Sequence, residues 1–262
     1  MSKKGTALIT GASTGIGAVY ADRLAKRGYD LILAARNIDK LHELAARLTR
    51  ETGVEIDSLK IDLTDKRDLL ILEKRLAEDG SINLLVNNAG MAVNGGTLQA
   101  DPDQIEQMLT LNVVAPTRLA KAAAVAFAAR KSGAIVNIAS VTAFLPEMFP
   151  GAYAATKSFI VTFSQGLEVE LKQHGVKVQA VLPGATRTEI WERAGKSIDA
   201  LPPEMVMEVD EMVDASLAGF DQSELITIPS LPDTAQWSAL QTARLSMAPN
   251  LSLKNAASRY KR

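Results

Sequence analysis

Eight residues near the start of the sequence decide the fold: Thr10-Gly11-Ala12-Ser13-Thr14-Gly15-Ile16-Gly17. They join a short apolar run, Ala7–Thr10, to an amphipathic stretch, Gly15–Arg27. A strand that feeds through a glycine-rich turn into a helix is typical of the nucleotide-binding end of a doubly wound sheet. Gly11 permits the tight turn, Gly15 lets the backbone approach a pyrophosphate, and Gly17 lets helix and strand pack closely. The pyrophosphate then lies on the free N–H groups and the positive dipole end of the helix.

Short apolar runs alternate with amphipathic stretches along the rest of the chain. Several runs are rich in β-branched residues and lack clean alternation, as expected of strands buried on both faces. This order predicts an α/β protein with a doubly wound, mostly parallel, seven-stranded sheet flanked by helices. The predicted strands are Ala7–Thr10, Asp30–Ala34, Glu55–Lys60, Asn83–Val86, Ala134–Ile138, Lys177–Leu182 and Leu225–Ile228. The predicted helices are Gly15–Arg27, Lys40–Thr49, Lys66–Glu78, Pro102–Arg130, Ala152–His174, Pro203–Leu217 and Gln236–Ser246.

Connections between these elements are short, so residues 1–262 are interpreted as a single domain. Pro116 is expected either to kink the long helix or to lie near its first turn. The stretch from about Thr186 to Pro203 has Pro, Gly and mixed polarity, which predicts a loop with a short helix rather than a linker. Residues 230–262 have a less regular pattern and are interpreted as a C-terminal extension.

Composition excludes several classes of function. The 262 residues include 29 basic and 30 acidic side chains, and a net charge of -1 gives no electrostatic reason to expect nucleic acid or a membrane as partner. The absence of cysteine excludes disulfides, thiolate nucleophiles and cysteine metal sites. His42 and His174 are interpreted as surface residues, so no metal site is expected. No apolar run suits a signal peptide or a membrane span, which favours a cytoplasmic protein.

Tyr153 and Lys157 are one helical turn apart in the stretch Gly151-Ala152-Tyr153-Ala154-Ala155-Thr156-Lys157. Both side chains therefore project from the same face of the predicted helix. A lysine ammonium beside a phenol favours the phenolate, so Lys157 is expected to lower the pKa of Tyr153. The spacing alone occurs on many helices, and its meaning depends on the motifs around it.

The neighbouring motifs stand in one order along the chain: Gly11-x-x-x-Gly15-x-Gly17, Asn87-Asn88-Ala89-Gly90, Asn112, Ser140, Tyr153-x-x-x-Lys157 and Pro183-Gly184. Ser140 follows a predicted central strand, where a hydroxyl can polarise a substrate oxygen. The set resembles the short-chain dehydrogenase/reductase (SDR) family, over about Thr6 to Thr188. The resemblance implies a single Rossmann domain, which agrees with the seven predicted strands.

The resemblance also implies roles for individual residues. Tyr153 would donate a proton to a carbonyl oxygen or take one from an alcohol, Lys157 would bind the nicotinamide ribose, and Asn112 would hold a water in a proton relay. The implied catalytic residues are Asn112, Ser140, Tyr153 and Lys157. The implied cofactor-binding residues are Gly11, Ser13, Thr14, Gly15, Ile16, Gly17, Arg36, Asp62, Leu63, Asn88, Tyr153, Lys157, Pro183, Gly184, Thr186 and Thr188. For Asp62 the alternative is a simple helix N-cap, and for the asparagine motif it is bracing of the sheet.

The end of the second strand predicts the choice of cofactor. An acidic residue there would bind both ribose hydroxyls of NAD. This chain has Ala34-Ala35-Arg36-Asn37 instead, and Arg36 offers a planar, permanently charged group that suits a phosphate. Thr14 adds no second base inside the glycine loop, so Arg36 carries most of the discrimination. NADP(H) is therefore predicted over NAD(H).

The substrate is predicted only as a class. By resemblance, residues 186–217 form a substrate lid. The candidate pocket residues are largely apolar and uncharged: Met91, Val93, Thr142, Phe144, Met148, Phe149 and Trp191. They favour an apolar ketone, aldehyde or secondary alcohol, with reduction as the working direction.

Two alternatives stay open at this point. One is a non-catalytic NADP-binding regulator on the same fold, and the other is an epimerase or dehydratase that transfers hydride transiently. The apolar helices after the fourth and fifth strands predict a homodimer or homotetramer, as in the family.

Overall fold

The computed structural model describes residues 4–147, 151–193, 195 and 197–261. The chain divides into two compact units, Met1–Pro229 and Ser230–Arg262. The first unit contains the sheet and all of the predicted site residues that the structure describes. Within the described part of the chain, no helix is both long enough and apolar enough to cross a membrane.

Seven parallel strands form the central sheet, in the order β3-β2-β1-β4-β5-β6-β9. This confirms the predicted α/β class, and each strand lies within two residues of its predicted bounds. The strands are β1 (Thr6–Thr10), β2 (Asp30–Ala35), β3 (Ile56–Lys60), β4 (Ile82–Asn87), β5 (Gly133–Ile138), β6 (Val176–Val181) and β9 (Ile226–Thr227). A second, two-stranded parallel sheet, β7 (Ala185–Thr186) with β8 (Val206–Met207), has no counterpart in the sequence prediction.

The α-helices of the first unit lie between these strands along the chain. They are α1 (Gly15–Lys26), α2 (Ile38–Thr52), α3 (Lys66–Glu78), α4 (Pro102–Leu109), α5 (Ala115–Arg130), α6 (Ala152–Leu171), α7 (Ile190–Arg193) and α8 (Val209–Asp221). The second unit contains α9 (Thr234–Ser246).

Two apolar clusters cover the two faces of the sheet. Consecutive residues of β1 alternate between them, since Ala7 and Ile9 pack in one cluster and Leu8 packs in the other. β2 does the same, with Leu33 in the first cluster and Ile32 in the second. Burial on both faces explains why these strands read as continuous apolar runs rather than as alternating patterns.

The predicted helical stretch Pro102–Arg130 consists of three elements. A π-helical turn, Thr110–Val114, separates α4 from α5. Pro116 lies in the first turn of α5, the second of the two places expected for it. Proline has no N–H to donate to the carbonyl four residues earlier, so the carbonyl of Asn112 has no α-helical partner.

The predicted helix Pro203–Leu217 is also wrong at its start. Pro203–Met205 is a single 3-10 turn, and the next two residues form β8. The helix itself begins at Val209, after Glu208 at its N-cap. The short helix expected between Thr186 and Pro203 is present as α7.

Candidate active site

The glycine-rich loop has the backbone geometry that the sequence predicts. Gly11 and Gly15 have φ angles of 65° and 55°, in the left-handed region that favours glycine. A Cβ atom at Gly17 would lie against the carbonyl oxygen of Gly11 and 2.5 Å from the side-chain nitrogen of Asn88. Helix α1 can therefore approach the loop this closely only with glycine at position 17.

The N-terminus of α1 is suited to an anion. Thr14 is its N-cap residue, and no acidic residue lies in its first turn. The free N–H groups and the helix dipole favour an anion here. The Glu189 carboxylate also lies close to this end of the helix, 3.6 Å from a Cβ placed at Gly15. Ser13 and Ile16 are partly exposed beside them, and Thr188 lies against Gly15, since a Cβ there would be 3.2 Å from its methyl group. The loop and the first residues of the lid thus meet.

Arg36 directly follows the buried end of β2 and is exposed. Asn37 next to it caps α2 by accepting a hydrogen bond from the backbone N–H of Lys40 at 3.1 Å. Among the residues that the structure describes, Arg36 forms no ion pair with a carboxylate. As far as the described residues go, its guanidinium is available to an anionic ligand.

Asp62 does not cap α3, so the simple helix N-cap that the sequence offered as its alternative role is wrong. Its carboxylate accepts hydrogen bonds from the backbone N–H and the hydroxyl of Thr64, at 2.9 and 2.7 Å. The N-cap of α3 is Asp65, which accepts from the backbone N–H of Arg67. Leu63, buried beside Asp62, follows the end of β3.

The asparagine motif at the end of β4 braces the sheet. The Asn87 amide donates to the carbonyl of Pro116 at 3.2 Å and to the side-chain oxygen of Asn137 at 2.9 Å. The Asn88 amide donates to the carbonyls of Thr10 and Gly11, at 2.9 and 3.2 Å. The side-chain donors of Asn88 thus hold the glycine loop in place.

Asn112 is buried, and both polar atoms of its side chain have hydrogen-bond partners. Its amide oxygen accepts from the N–H of Met91 at 2.9 Å, and its amide nitrogen donates to the carbonyl of Met91 and the hydroxyl of Thr156. Pro116 also leaves the backbone carbonyl of Asn112 without an α-helical donor, so this carbonyl is a further hydrogen-bond acceptor near the site.

Tyr153 and Lys157 share one face of α6, as predicted. The Lys157 ammonium is buried, lies 5.6 Å from the centroid of the Tyr153 ring, and donates to the carbonyl of Ile138 at 3.0 Å. This hydrogen bond ties the lysine to the end of β5. A Cβ at Gly90 would be 3.6 Å from the lysine nitrogen, so Gly90 keeps the space above it open.

The predicted pKa direction for Tyr153 is wrong. Burial raises the pKa of Tyr153 to about 12, although a hydrogen bond with Ser140 acts in the opposite direction. Burial also lowers the pKa of Lys157 to about 8. The spacing rule considered only the lysine charge, and removal from water outweighs it in this site.

Ser140 links the ends of two neighbouring strands. Its hydroxyl accepts from the N–H of Thr142 at 3.2 Å and donates to the carbonyl of Pro183 at 3.5 Å. The same Pro183 carbonyl accepts from the N–H of Val141 at 3.0 Å. Ser140, Tyr153 and Pro183 are therefore brought together at the carboxyl edge of the sheet.

The base of the lid is held by contacts that the sequence analysis missed. Thr186 is buried, its hydroxyl donates to the carbonyl of Gly184, and its own carbonyl accepts from the Trp191 indole N–H at 2.9 Å. Arg187 pairs with Asp199 at 2.8 Å and with Glu208 at 3.0 Å. The sequence signal for this cluster was Arg187 itself, a basic residue between two threonines in an acidic segment.

The described pocket candidates are all partly exposed: Met91, Val93, Thr142, Phe144 and Trp191. The hydroxyl of Thr142 is buried and has no hydrogen-bond partner in the described chain, a feature that the sequence does not reveal. Met148 and Phe149 lie outside the described residues.

The strand order and the glycine loop at the end of β1 define a dinucleotide-binding α/β protein. A model of the family described as short chain dehydrogenase matches residues 5–199. The chain belongs to this family of oxidoreductases, which confirms the resemblance found in the sequence.

Two solved structures are similar along almost the whole chain. A short-chain dehydrogenase from Sphingobium yanoikuyae in complex with NADPH is 53% identical, with a TM-score of 0.96 over 98% of this chain and 100% of that one. A bulky-bulky ketone specific alcohol dehydrogenase from Comamonas testosteroni is 46% identical, with a TM-score of 0.92 and full coverage of both chains.

A curated relative, the very-long-chain 3-oxoacyl-CoA reductase of Anas platyrhynchos, is 32% identical over 202 residues. The match covers 76% of this chain and only 65% of the length of that relative.

Proposed function

We propose that this protein is an NADPH-dependent reductase of bulky apolar ketones that also oxidises the corresponding secondary alcohols. The observation that carries the proposal is the meeting of Ser140, Tyr153 and Lys157 at the sheet edge that also bears the glycine-rich loop. A proton donor and a carbonyl-polarising hydroxyl beside a dinucleotide cradle suit hydride transfer to a carbonyl group.

The cradle fits a dinucleotide with a 2′-phosphate. The left-handed glycines and the N-terminus of α1 suit the pyrophosphate. Exposed Arg36, without a carboxylate partner among the described residues, suits the 2′-phosphate. The Sphingobium yanoikuyae relative is in complex with NADPH, which supports the same cofactor here. The further proposed contacts of the cofactor are with Ser13, Thr14, Ile16, Asp62, Leu63, Asn88, Pro183, Gly184, Thr186 and Thr188.

When bound, the cofactor supplies the hydride to the carbonyl carbon. Tyr153 donates a proton to the carbonyl oxygen, and its pKa of about 12 keeps it protonated at neutral pH. Proton transfer is favourable because an alkoxide is a stronger base than a phenolate. Oxidation requires the phenolate instead, so the raised pKa favours reduction at neutral pH.

Lys157 returns the proton to Tyr153. Its pKa of about 8 lets it exchange protons near neutral pH. We place a water on the backbone carbonyl of Asn112 as the next member of the relay. Lys157 also orients the nicotinamide ribose, while Ser140 polarises the substrate oxygen through its hydroxyl.

The substrate class follows from the partly exposed apolar side chains around the edge. Met91, Val93, Phe144 and Trp191 offer no charge to a carboxylate or phosphate. The relative from Comamonas testosteroni is specific for bulky-bulky ketones, which supports a ketone with large groups on both sides of the carbonyl.

Association into a homodimer or homotetramer through α5 and α6 is part of the proposal. Val125 on α5 and Phe159 and Val169 on α6 are 60%, 40% and 75% exposed. Pairing with a second copy would cover these side chains.

A ketone panel assayed with NADPH and with NADH tests the function. The expected result is turnover of ketones that carry two bulky groups, with NADPH preferred. Arg36→Ser should reduce this preference, and Arg50→Ser, an arginine farther along α2, serves as the control.

Two results would contradict the proposal. Cofactor binding without any turnover would indicate a non-catalytic regulator. Product formation without net consumption of the cofactor would indicate an epimerase or dehydratase.

A further inference from the structure

A chain of buried polar side chains runs from the centre of the sheet into helix α6. Asn87 on β4 and Asn137 on β5 are partners in the strand register, and the Asn87 amide donates to the Asn137 side-chain oxygen at 2.9 Å. The Asn137 amide donates in turn to the Ser164 hydroxyl at 2.9 Å, and that hydroxyl donates to the carbonyl of Ile160 at 2.8 Å. All three of these polar side chains are buried. Hydrogen bonds that water does not reach therefore join β4, β5 and α6.

Apolar contacts surround this chain of hydrogen bonds but act differently on α6. Leu167 and Leu171 of α6 pack in the same apolar cluster as Ile135 of β5. Apolar contact is non-directional, so it favours burial without strictly fixing where the helix lies along its axis. A hydrogen bond needs a defined distance and angle. The bond between Asn137 and Ser164 therefore specifies the position of α6 along β5 more closely than the apolar contacts do.

The bond between Asn137 and Ser164 is accompanied by a second tie between the same two elements. Lys157 donates to the carbonyl of Ile138, the residue after Asn137, at 3.0 Å. Ser164 follows Lys157 by seven residues, about two helical turns, so both side chains lie on the face of α6 that is turned towards β5. Without the Ser164 bond, Lys157 would have to hold the helix in place while it also binds the ribose and exchanges protons.

The other end of the chain of hydrogen bonds reaches α5. The Asn87 amide also donates to the carbonyl of Pro116, in the first turn of α5, at 3.2 Å. The buried chain thus connects the elements that carry the four proposed catalytic residues: Asn112 before α5, Ser140 after β5, and Tyr153 and Lys157 on α6.

We propose that Asn137 and Ser164 are positioning residues for hydride transfer, which hold Tyr153 and Lys157 in place relative to Ser140. This inference rests on the proposed reductase function. A misplacement of about 1 Å can slow a reaction on the order of a hundredfold, so the two residues should affect the rate of the chemical step. Both lie beneath the site and not at the glycine loop, so the Kd for NADPH should change less than about threefold.

A double-mutant cycle on the single-turnover rate of hydride transfer tests the proposal. NADPH and a bulky ketone are saturating, and each variant is first shown to be folded by its thermal unfolding curve. Ser164→Ala and Asn137→Ala break the same hydrogen bond from opposite sides, and each should slow the step roughly tenfold to hundredfold. Because the two changes remove one shared interaction, the double variant should be about as slow as the slower single variant.

Thr227→Val is the matched control. The buried Thr227 hydroxyl accepts from the Gln179 amide at 2.8 Å, as Ser164 accepts from Asn137, but it lies on β9 at the edge of the sheet. Thr227→Val should lower the free energy of unfolding, as Ser164→Ala does, and leave the rate of hydride transfer unchanged.

The outcomes separate the positioning role from the proposed function. A wild-type protein that transfers no hydride would contradict the proposed function itself. An active wild type whose Ser164 and Asn137 variants keep its rate would overturn the positioning role alone. Equal slowing by Thr227→Val, or fully independent effects of the Ser164 and Asn137 changes, would overturn that role as well.

Discussion

The carboxyl edge of the sheet and residues 230–262 differ in how their side chains are held. At the edge, the side chains of Asn88, Asn112 and Lys157 each have hydrogen-bond partners on neighbouring strands or helices. In residues 230–262 the large apolar side chains are exposed and α9 buries nothing. Hydrogen bonds and burial therefore hold the side chains of the first region, whereas the second has no buried core of its own.

The same substitution in the two regions tests this difference most strongly. Leu33 in β2 is fully buried, and Leu33→Ala should lower the free energy of unfolding by about 2–5 kcal/mol. Leu251 is 73% exposed, and Leu251→Ala should change it by less than about 0.5 kcal/mol in the dissociated chain. Urea unfolding at low protein concentration measures both, and equal losses would contradict the distinction.

Lys157→Met tests the cost of keeping a charge at the edge. Burial depresses the folded-state pKa of Lys157 from 10.5 to about 8, so the unfolded chain takes up the proton at a higher pH than the folded chain. The free energy of unfolding is therefore highest above pH 10.5 and is lost as the pH falls through 8. Relative to the methionine variant, the wild type should lose roughly 2–3 kcal/mol of stability between pH 10 and pH 7. Unfolding curves at both pH values measure the difference.

The exposed Lys172→Met variant is the matched control for this measurement. A difference between wild type and Lys157→Met that does not change with pH would show that Lys157 is not perturbed by burial.

Gly17→Ala tests the close packing of the glycine loop. The added Cβ meets the backbone of Gly11 and the amide of Asn88, so the loop must shift, at a cost of about 1–3 kcal/mol. Because the loop that binds the pyrophosphate must shift, NADPH affinity should fall roughly tenfold to hundredfold. Titration calorimetry measures the affinity.

Gly166→Ala provides the comparison, because nothing lies within 4 Å of the added Cβ. It should stabilise α6 by about 0.5–1 kcal/mol without affecting NADPH. An unchanged NADPH affinity in Gly17→Ala would show that the cofactor does not bind at the glycine loop.

Arg36→Ser should affect cofactor selection without lowering stability, since Arg36 is exposed and acts on one phosphate. We expect KM for NADPH to rise about tenfold to hundredfold, as for loss of a charged hydrogen bond, with KM for NADH almost unchanged. Steady-state kinetics with both cofactors measures the change. An equal rise for both cofactors would show that Arg36 does not select the 2′-phosphate.

Local rules predicted most of the edge. Gly11 has a positive φ angle, and Gly17 has no room for a Cβ, so each has a local reason to be glycine. Runs rich in β-branched residues indicate the strands from their own composition. The spacing of Tyr153 and Lys157 fixes a shared helix face. Such features depend on a few neighbouring residues, so the sequence alone contains them.

Features that depend on distant packing were not predicted. Desolvation sets the pKa of Tyr153, and it results from the whole environment of the ring rather than from Lys157. The two-residue strands β7 and β8 are too short to leave a periodic pattern. The sequence did not show whether Asp62 or Asp65 caps α3, because both carboxylates precede the helix.

The reaction of Tyr153→Phe tests the central claim most directly. With NADPH saturating and a bulky ketone as substrate, a single turnover in a stopped-flow instrument reports the chemical step. The rate should fall roughly 10²–10⁴-fold, as for loss of a general acid, while the Kd for NADPH stays within a factor of about three. Turnover by the phenylalanine variant at the wild-type rate would show that Tyr153 does not protonate the carbonyl oxygen.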